Sequence, residues 1–456
     1  MTRLYTGASF YTMDVGGSVA SALAVANGRI LAVGREEEVR ARLVGPVEEV
    51  PLPGRAVLPG FIDPHHHFAY ALFFEAGVDL SPRKVRTLDQ VVDGLRAAAA
   101  ALPEGAWVVG FGYDEWRLAE RRPPTRDVLD RACPHHPVLV SQFTGHEACV
   151  NSLALQYVEG RDPWGGKVER DRSGRPTGRL IGTALRRPEG LARRAVVNRN
   201  LHRFPDFLGK YEERLFRVGI TRIHDPVVPP DLLELYRYAV ERKRLRLPCV
   251  VSPLAPGAQL DTAEEWLDHG QMGEGSELLR IGPAKFILDG AERCHLCLSP
   301  YQLVFILVEA ARRAVRNRSL EPLYALARVR PSLTSDLKLQ NGPPYLPLER
   351  SLQLAHEAVA RGYSLMIHAI GSEAADQAVW MVNSVRRRHP LSVPPRIEHG
   401  LFMRPATIRR AADLGCLTVT QPDFVLYASL GLVPAIPPGM RYVGNRSILE
   451  AGGRIA

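Results

Sequence analysis

The stretch Gly60-Phe61-Ile62-Asp63-Pro64-His65-His66-His67 decides how the rest of the chain is read. An apolar strand closes on two histidines one residue apart. Side chains alternate along a strand, so Asp63, His65 and His67 share one face wherever the chain stays extended. Three later strand-like segments each deliver one further candidate: Lys285 in Ile281-Gly-Pro-Ala-Lys-Phe-Ile-Leu-Asp-Gly290, His368 in Leu365-Met-Ile-His-Ala369, and His399 in Arg396-Ile-Glu-His-Gly400. Imidazoles and one amine at the carboxyl ends of successive strands are how a parallel barrel assembles a metal site. The pattern points to metal-assisted hydrolysis.

From Val57 onward, apolar strands alternate with helical stretches, which predicts α/β architecture with a parallel sheet. Strand one is the Phe61 to His67 segment. Strand two is Gly219-Ile-Thr-Arg-Ile-His-Asp225, and strand three is Leu247-Pro-Cys-Val-Val-Ser252. Strands four, five and six carry Lys285, His368 and His399. Cys416-Leu-Thr-Val-Thr-Gln421 is strand seven, and an eighth begins at Gly453-Arg-Ile-Ala456, where the sequence stops. Pro405 opens a helix and Gly415 closes it ahead of strand seven. Residues 1 to 55 read as a separate β-rich part, with Asn27-Gly28 as the turn of a hairpin. Residues 56 to 456 hold the strand series. A long insertion at about 70 to 215 has strands of its own at Trp107-Val-Val-Gly-Phe111 and Pro137-Val-Leu-Val-Ser-Gln142; such elaborations sit over the active face of barrels. Residues 291 to 345 are the least regular.

With 456 residues, 46% hydrophobic and 23% charged, the chain has room for a large barrel and a small accessory domain. No run of about 18 apolar residues predicts a membrane span, and the N-terminus lacks the apolar core of a signal peptide. Six cysteines do not make a disulfide framework in so long a chain, so a cytoplasmic location is expected. The net charge of +9 comes mostly from arginines mixed with acids along helices, as in Arg312-Arg313-Ala-Val-Arg316. That distribution describes solvated helix faces rather than a nucleic-acid surface.

Three or four histidines with one oxygen donor suit zinc first, and also iron, manganese or cobalt. A charged amine would repel the cation, so Lys285 has two readings. Burial favours the neutral amine, which can take up CO2 as a carbamate bridging two metals about 3.5–4 Å apart, sharing a hydroxide between them. Alternatively a lone metal is held by the histidines, and Lys285 pairs with Asp289 on its own strand face. Cys294-His-Leu-Cys297 has no second pair and reads as a structural loop. His146, in Thr144-Gly-His-Glu147, and Asp225, at the end of strand two, are candidates for lining the substrate pocket. No phosphate-cradling glycine loop or serine nucleophile elbow is present.

The run from Val57 to His67 resembles the entry to the barrel of the amidohydrolase superfamily. Gly112-Tyr-Asp-Glu-Trp116, Pro123-Pro-Thr-Arg-Asp-Val-Leu-Asp130, Gly145-His-Glu-Ala-Cys-Val-Asn-Ser-Leu-Ala-Leu155 and Ile367-His-Ala-Ile-Gly-Ser-Glu-Ala374 narrow the resemblance to the branch of YtcJ-like proteins and N-substituted formamide deformylases. It implies a (β/α)8 TIM-type barrel with a small β-sandwich domain. It also implies that His65, His67, His368 and His399 are metal ligands and that Lys285 is the bridging carboxylated lysine. Superfamily members carry a metal-binding, proton-transferring aspartate at the end of strand eight, and this sequence stops at Arg454-Ile-Ala456 before reaching one. The returning sandwich strands are missing as well. The expectation is therefore a barrel truncated in its C-terminal part, and loss of a general base alone costs about 10²–10⁴-fold in rate.

Taken together, the reading is a metal-dependent hydrolase of a non-peptide amide, with a metal-activated hydroxide attacking the carbonyl and one or two divalent ions, zinc foremost. The alternative is an impaired or inactive amidohydrolase-fold protein that binds metal or a small ligand without turnover. The expected partner is a small-molecule amide, with neither nucleic acid nor membrane, and room is left for a homo-oligomer.

Overall fold

Asn27 and Gly28 both take positive φ, 51° and 73°, as a two-residue hairpin turn requires. They join two strands of a sheet built from β1 (Thr2–Tyr11), β2 (Val19–Ala26), β3 (Arg29–Gly34) and β4 (Val47–Pro51) in the order β3-β2-β1-β4, with β5 (Ala56–Val57) also on β1. Leu4, Ala22, Ala24, Ala32 and Val39 form the core beneath it. This sheet belongs to one compact unit, Met1–Ile62 with Leu215–Arg222; Asp63–Arg214 and Ile223–Ala456 make up the other. The computed structural model describes residues 1–158, 165–256, 266–268, 270–290, 295–320, 323, 332–333, 338–342, 344–424 and 435–456.

The strand series follows. β6 (Phe61–Asp63) is shorter than its apolar run, because Pro64 has no amide to extend a ladder. The insertion folds as a six-stranded sheet of β7 (Val78–Asp79), β8 (Val108–Tyr113), β9 (Val138–Gln142), β10 (Glu147–Val150), β11 (Gly166–Arg170) and β12 (Pro176–Gly182), ordered β11-β12-β10-β9-β8-β7. Leu80, Val91, Leu95, Leu129, Val138 and Val140 are among its core residues. Both strands expected within the insertion are present.

Beyond it come β13 (Ile220–Asp225), β14 (Cys249–Val251), β15 (Leu279–Ile281) and β16 (Ala284–Ile287). The single fourth strand of the sequence reading is split between β15 and β16 at Gly282-Pro283, where proline again removes a ladder donor. An antiparallel trio, β17 (Leu296–Leu298), β18 (Ser332–Leu333) and β19 (Leu339–Asn341), precedes β20 (Leu365–Ala369) and β21 (Arg396–His399). A short antiparallel pair, β22 (Phe402–Met403) with β24 (Arg441–Tyr442), flanks β23 (Leu417–Val419), and β25 (Arg454–Ile455) comes last.

Pairing is parallel along β13-β14-β15 and along β16-β20-β21-β23-β25. The two ladders are tied where the Lys285 amide donates to the Pro253 carbonyl and the Ala255 amide to the Lys285 carbonyl, each at 2.8 Å. The helix Pro405–Asp413 begins at its proline, and Gly415 follows its end with φ of 66°, as the sequence predicts. β25 lies parallel to β23 through Leu417–Arg454 and Thr418–Ile455, at the position where the sequence predicts a further strand. Phe61 and Ile62, read from the sequence as the apolar strand leading to the histidines, are exposed. β6 ends its strand order with only β13 beside it among the described residues.

Candidate metal centre

Where β6 stops, Asp63 closes a turn. Its Oδ1 accepts from the His65 amide at 3.0 Å, and its Oδ2 lies 3.0 Å from His66 Nδ1. An aspartate that captures the backbone two residues on makes an Asx-type turn, so Asp63 does not share a face with His65 and His67 as an extended chain would require. The turn is anchored further by the His66 amide, which donates to the His224 carbonyl at 2.9 Å. The helix Phe68–Glu75 then begins.

The rings nevertheless gather. A row of imidazoles runs from His67 to His65, His399, His368 and His146, with successive centroid separations of 5.1, 4.7, 4.6 and 5.4 Å. Four chain segments supply them: the β6 turn, the ends of β20 and β21, and the β9–β10 turn. His399 is held at φ of 73°, a left-handed conformation that persists in a non-glycine residue only where its surroundings enforce it.

Supporting hydrogen bonds fix which nitrogen each ring offers. His65 Nδ1 donates to Glu398 Oε2, and His399 Nδ1 lies 2.7 Å from Gln421 Oε1. Both partners are acceptors, which leaves a lone pair on the Nε2 of each ring, the arrangement typical of metal-ligating histidine. Glu398 is gripped by Arg396, whose Nε donates to Oε1 at 2.8 Å and whose Nη2 donates to Oε2 at 3.1 Å. Arg396 also donates through Nη1 to His224 Nδ1 at 2.8 Å and through Nη2 to the Pro64 carbonyl at 2.7 Å. Because a guanidinium can only donate, His224 carries its proton on Nε2, 2.9 Å from Ser252 Oγ.

Lys285 is fully buried, with 1% exposure. It sits close enough to His65, His67, His368 and His399 to oppose protonation of each. Burial pushes the Lys285 amine down to about 8. Burial likewise brings His67 and His224 to about 3 and holds His65, His368 and His399 well below the usual imidazole range. All five rings are therefore neutral at pH 7, the form that binds metal. The alternative pairing of Lys285 with Asp289 is not made. Asp289 accepts instead from the amides of Ile370 (3.0 Å), Gly371 (2.8 Å) and His295 (2.9 Å), three donors presented where β16 and β20 end.

Do these residues fit an ion? Lys285 Nζ and His368 Nε2 are buried without a hydrogen-bond partner among the described residues. His368 Nε2 is 3.4 Å from Asp289 Oδ1, within ion-pair range but outside hydrogen-bond geometry. Buried polar atoms almost always find a partner, and two orphans beside two outfitted Nε2 lone pairs match a divalent ion that takes imidazole nitrogen. As they stand, no three His, Cys, Asp or Glu side chains among the described residues close on a single point; the rings are assembled but not drawn inward.

His146 reaches the row from the insertion, where its Nδ1 lies 3.0 Å from the Tyr345 hydroxyl. Asp225, expected to line the pocket, is fully buried, and its carboxylate accepts from Ala69 (2.8 Å), Val227 (3.3 Å) and the Tyr236 hydroxyl (2.8 Å). It secures the start of the helix that follows His67. Cys294 lies outside the described residues. Sequence reasoning missed Glu398, Arg396, Gln421 and Tyr345. The first two left a signal, a paired acid and base within an otherwise apolar strand; Tyr345 ends the stretch that resisted assignment and left none.

A family-wide sequence profile described as "Amidohydrolase family" matches residues 48–437. The chain belongs to the amidohydrolase family. Among this amidohydrolase's relatives is the N-substituted formamide deformylase of Arthrobacter pascens, 29% identical over 459 residues, spanning 98% of this chain and 78% of that one. YtcJ of Bacillus subtilis is 25% identical over 435 residues, spanning 93% and 74%. Both belong to the branch that the sequence motifs resemble. Among solved structures, an uncharacterized metal-dependent hydrolase from Pyrococcus furiosus superposes with a TM-score of 0.64 at 20% identity, covering all of this chain and 84% of the other. That likeness is one of fold. Among the described residues, no helix of this amidohydrolase is long and apolar enough to cross a membrane.

Proposed function

We propose that this amidohydrolase is a metal-dependent hydrolase cleaving the C–N bond of a small non-peptide amide, with N-substituted formamides the first class to test. The parallel strands are read as a (β/α)8 barrel presenting the site at their carboxyl ends. One observation carries the reading: His65, His67, His368, His399 and Lys285, from four separate segments, gather as neutral or readily neutralised nitrogens, with His65 and His399 already oriented through their Nδ1 atoms. The similarity to a formamide deformylase over nearly the whole chain supports the choice of substrate class.

In this reading His65, His67, His368 and His399 hold one or two divalent ions, zinc foremost. Lys285 joins them as a carbamate formed from its neutral amine. A bound ion supplies a Lewis acid for the acyl oxygen and lowers the pKa of water. Glu398, backed by Arg396, and Gln421 keep His65 and His399 aimed. His146 stands on the substrate side, and Asp225 secures the turn behind His67. Cys133, Cys149 and Cys416 are thiols rather than disulfides, in keeping with a cytoplasmic setting.

Elemental analysis of the purified protein, together with amine release from a panel of N-alkylformamides and N-alkylacetamides, tests the proposal. The wild type is expected to carry a divalent ion and release amine, and His65→Ala to lose most of that ion. Full metal occupancy in His65→Ala, or no amine release by metal-loaded wild type, overturns the assignment.

A further inference from the structure

His146 enters the row of imidazoles from outside the strands that carry the others. Its ring lies 5.4 Å from that of His368 and 6.2 Å from that of Tyr345. It is also near enough to oppose protonation of both His67 and His368. The Tyr345 amide donates to the Leu288 carbonyl at 2.8 Å, which fixes the tyrosine to the segment that follows Lys285. Its hydroxyl passes directly over Gly290. A Cβ at Gly290 would stand 2.5 Å from the Tyr345 hydroxyl oxygen and 3.6 Å from His146 Nδ1. The first distance is far inside contact, so only glycine leaves room for the phenol to meet the imidazole. Three segments thus converge to place a phenol–imidazole pair at the edge of the candidate centre.

We propose that Tyr345 and His146 act as a relay of donors to the acyl oxygen of the substrate amide, an inference that rests on the amide-hydrolase reading above. The Tyr345 hydroxyl donates to His146 Nδ1. That assignment puts the ring proton on Nε2, from which it donates to the acyl oxygen. As the oxygen of water bonds to the acyl carbon, the carbonyl π pair moves onto the acyl oxygen. A fixed N–H stabilises that developing charge more than it stabilises the neutral carbonyl. When the pair of electrons returns, the C–N bond breaks and the nitrogen departs with a proton that came from water, giving amine and carboxylic acid. The pair donates hydrogen bonds throughout and transfers no proton. His146 is thereby a catalytic residue, and Tyr345 a positioning residue acting through it.

The test uses Tyr345→Phe, His146→Ala, His146→Gln and Gly290→Ala in the metal-loaded protein. Metal content is expected to stay at the wild-type level in all four. His146→Ala should lower kcat about 10²–10³-fold, as removal of one oxyanion donor does, with KM little changed, and His146→Gln should recover part of the loss. Gly290→Ala should reproduce Tyr345→Phe, because the added methyl displaces the same hydroxyl. Binding of methylphosphonate, a tetrahedral oxyanion, followed by calorimetry, should weaken at least tenfold in Tyr345→Phe and His146→Ala. Loss of metal in His146→Ala would make it a ligand and overturn the proposal, as would unchanged methylphosphonate binding in Tyr345→Phe. If methylphosphonate binding depends on the pair while no amide is turned over, the substrate reading fails and the donor pair stands.

Discussion

Lys285 is the residue on which the chemistry turns, because its two protonation states make opposite predictions. Buried at 1% exposure with no hydrogen-bond partner for Nζ among the described residues, it either carries a positive charge against the histidines or is neutralised and converted to an anionic donor. A cationic amine repels a divalent ion, so Lys285→Met would then raise metal affinity. A carbamate contributes two oxygens, so Lys285→Met should instead lower metal content, by at least about tenfold in affinity, and a short-chain carboxylate such as propionate should restore part of it by occupying the space left. Metal per chain, measured with and without propionate, reads the sign directly, and a gain of metal in the variant would eliminate the carbamate. At this scale much was legible beforehand. The four histidines stand at or just past the ends of apolar runs and Lys285 interrupts one, the places where a sequence exposes its anomalies. Asp63 was misplaced because strand alternation holds only while the backbone stays extended, and the aspartate itself ends the extension by capturing the His65 amide.

At the scale of elements, β21 does more than deliver His399. Arg396 and Glu398 point to the same side of the strand, and together they connect the β6 turn through Pro64 and His65 with β13 through His224. Glu398 is 0% exposed and Arg396 8%. Removing the guanidinium leaves a buried carboxylate without its countercharge, which typically costs about 3–5 kcal/mol. Arg396→Met should therefore lower the urea midpoint of the metal-free protein strongly, and adding Glu398→Gln should return part of the loss. Arg396→Lys should not rescue, since an ammonium cannot reproduce the forked contacts to Glu398 and His224. In the Arg396→Met/Glu398→Gln double variant metal affinity should fall about 10–100-fold, because the carboxylate that orients His65 is gone. If Arg396→Met melts like the wild type, the network is ornamental. Strand positions were readable from sequence because apolar runs bracketed by Gly and Pro mark them, apart from the break at Gly282-Pro283. The partners across strands were not, because which side chains meet depends on register between segments more than a hundred residues apart.

Over the whole molecule, burying so many titratable groups around one centre makes stability depend on pH in a definite direction. His65, His67, His224, His368 and His399 are all pushed down by burial, His67 and His224 to about 3, whereas in the unfolded chain they titrate near about 6.5. Between those values the unfolded state binds more protons, so stability rises with pH and is lost on acidification. Three carboxyls work the other way. Burial raises Glu189 above its usual range, Asp225 to about 6 and Asp289 to about 7, so from about pH 4 up to their raised values the folded state holds the extra proton, and stability falls as pH rises. Five imidazoles outweigh three carboxyls, and below about pH 4 the opposition ends, because the carboxyls are then protonated in both states. Metal-stripped protein should hold a nearly constant urea midpoint between about pH 7 and 8, lose stability below about 6.5, and lose it more steeply below 4, each uncompensated proton adding about 1.4 kcal/mol per pH unit. Denaturation midpoints from pH 3.5 to 8 supply the check. A flat profile, or one that improves toward acid, would mean that these rings are not held neutral in the folded chain, and the centre they form would then have no lone pairs to offer an ion.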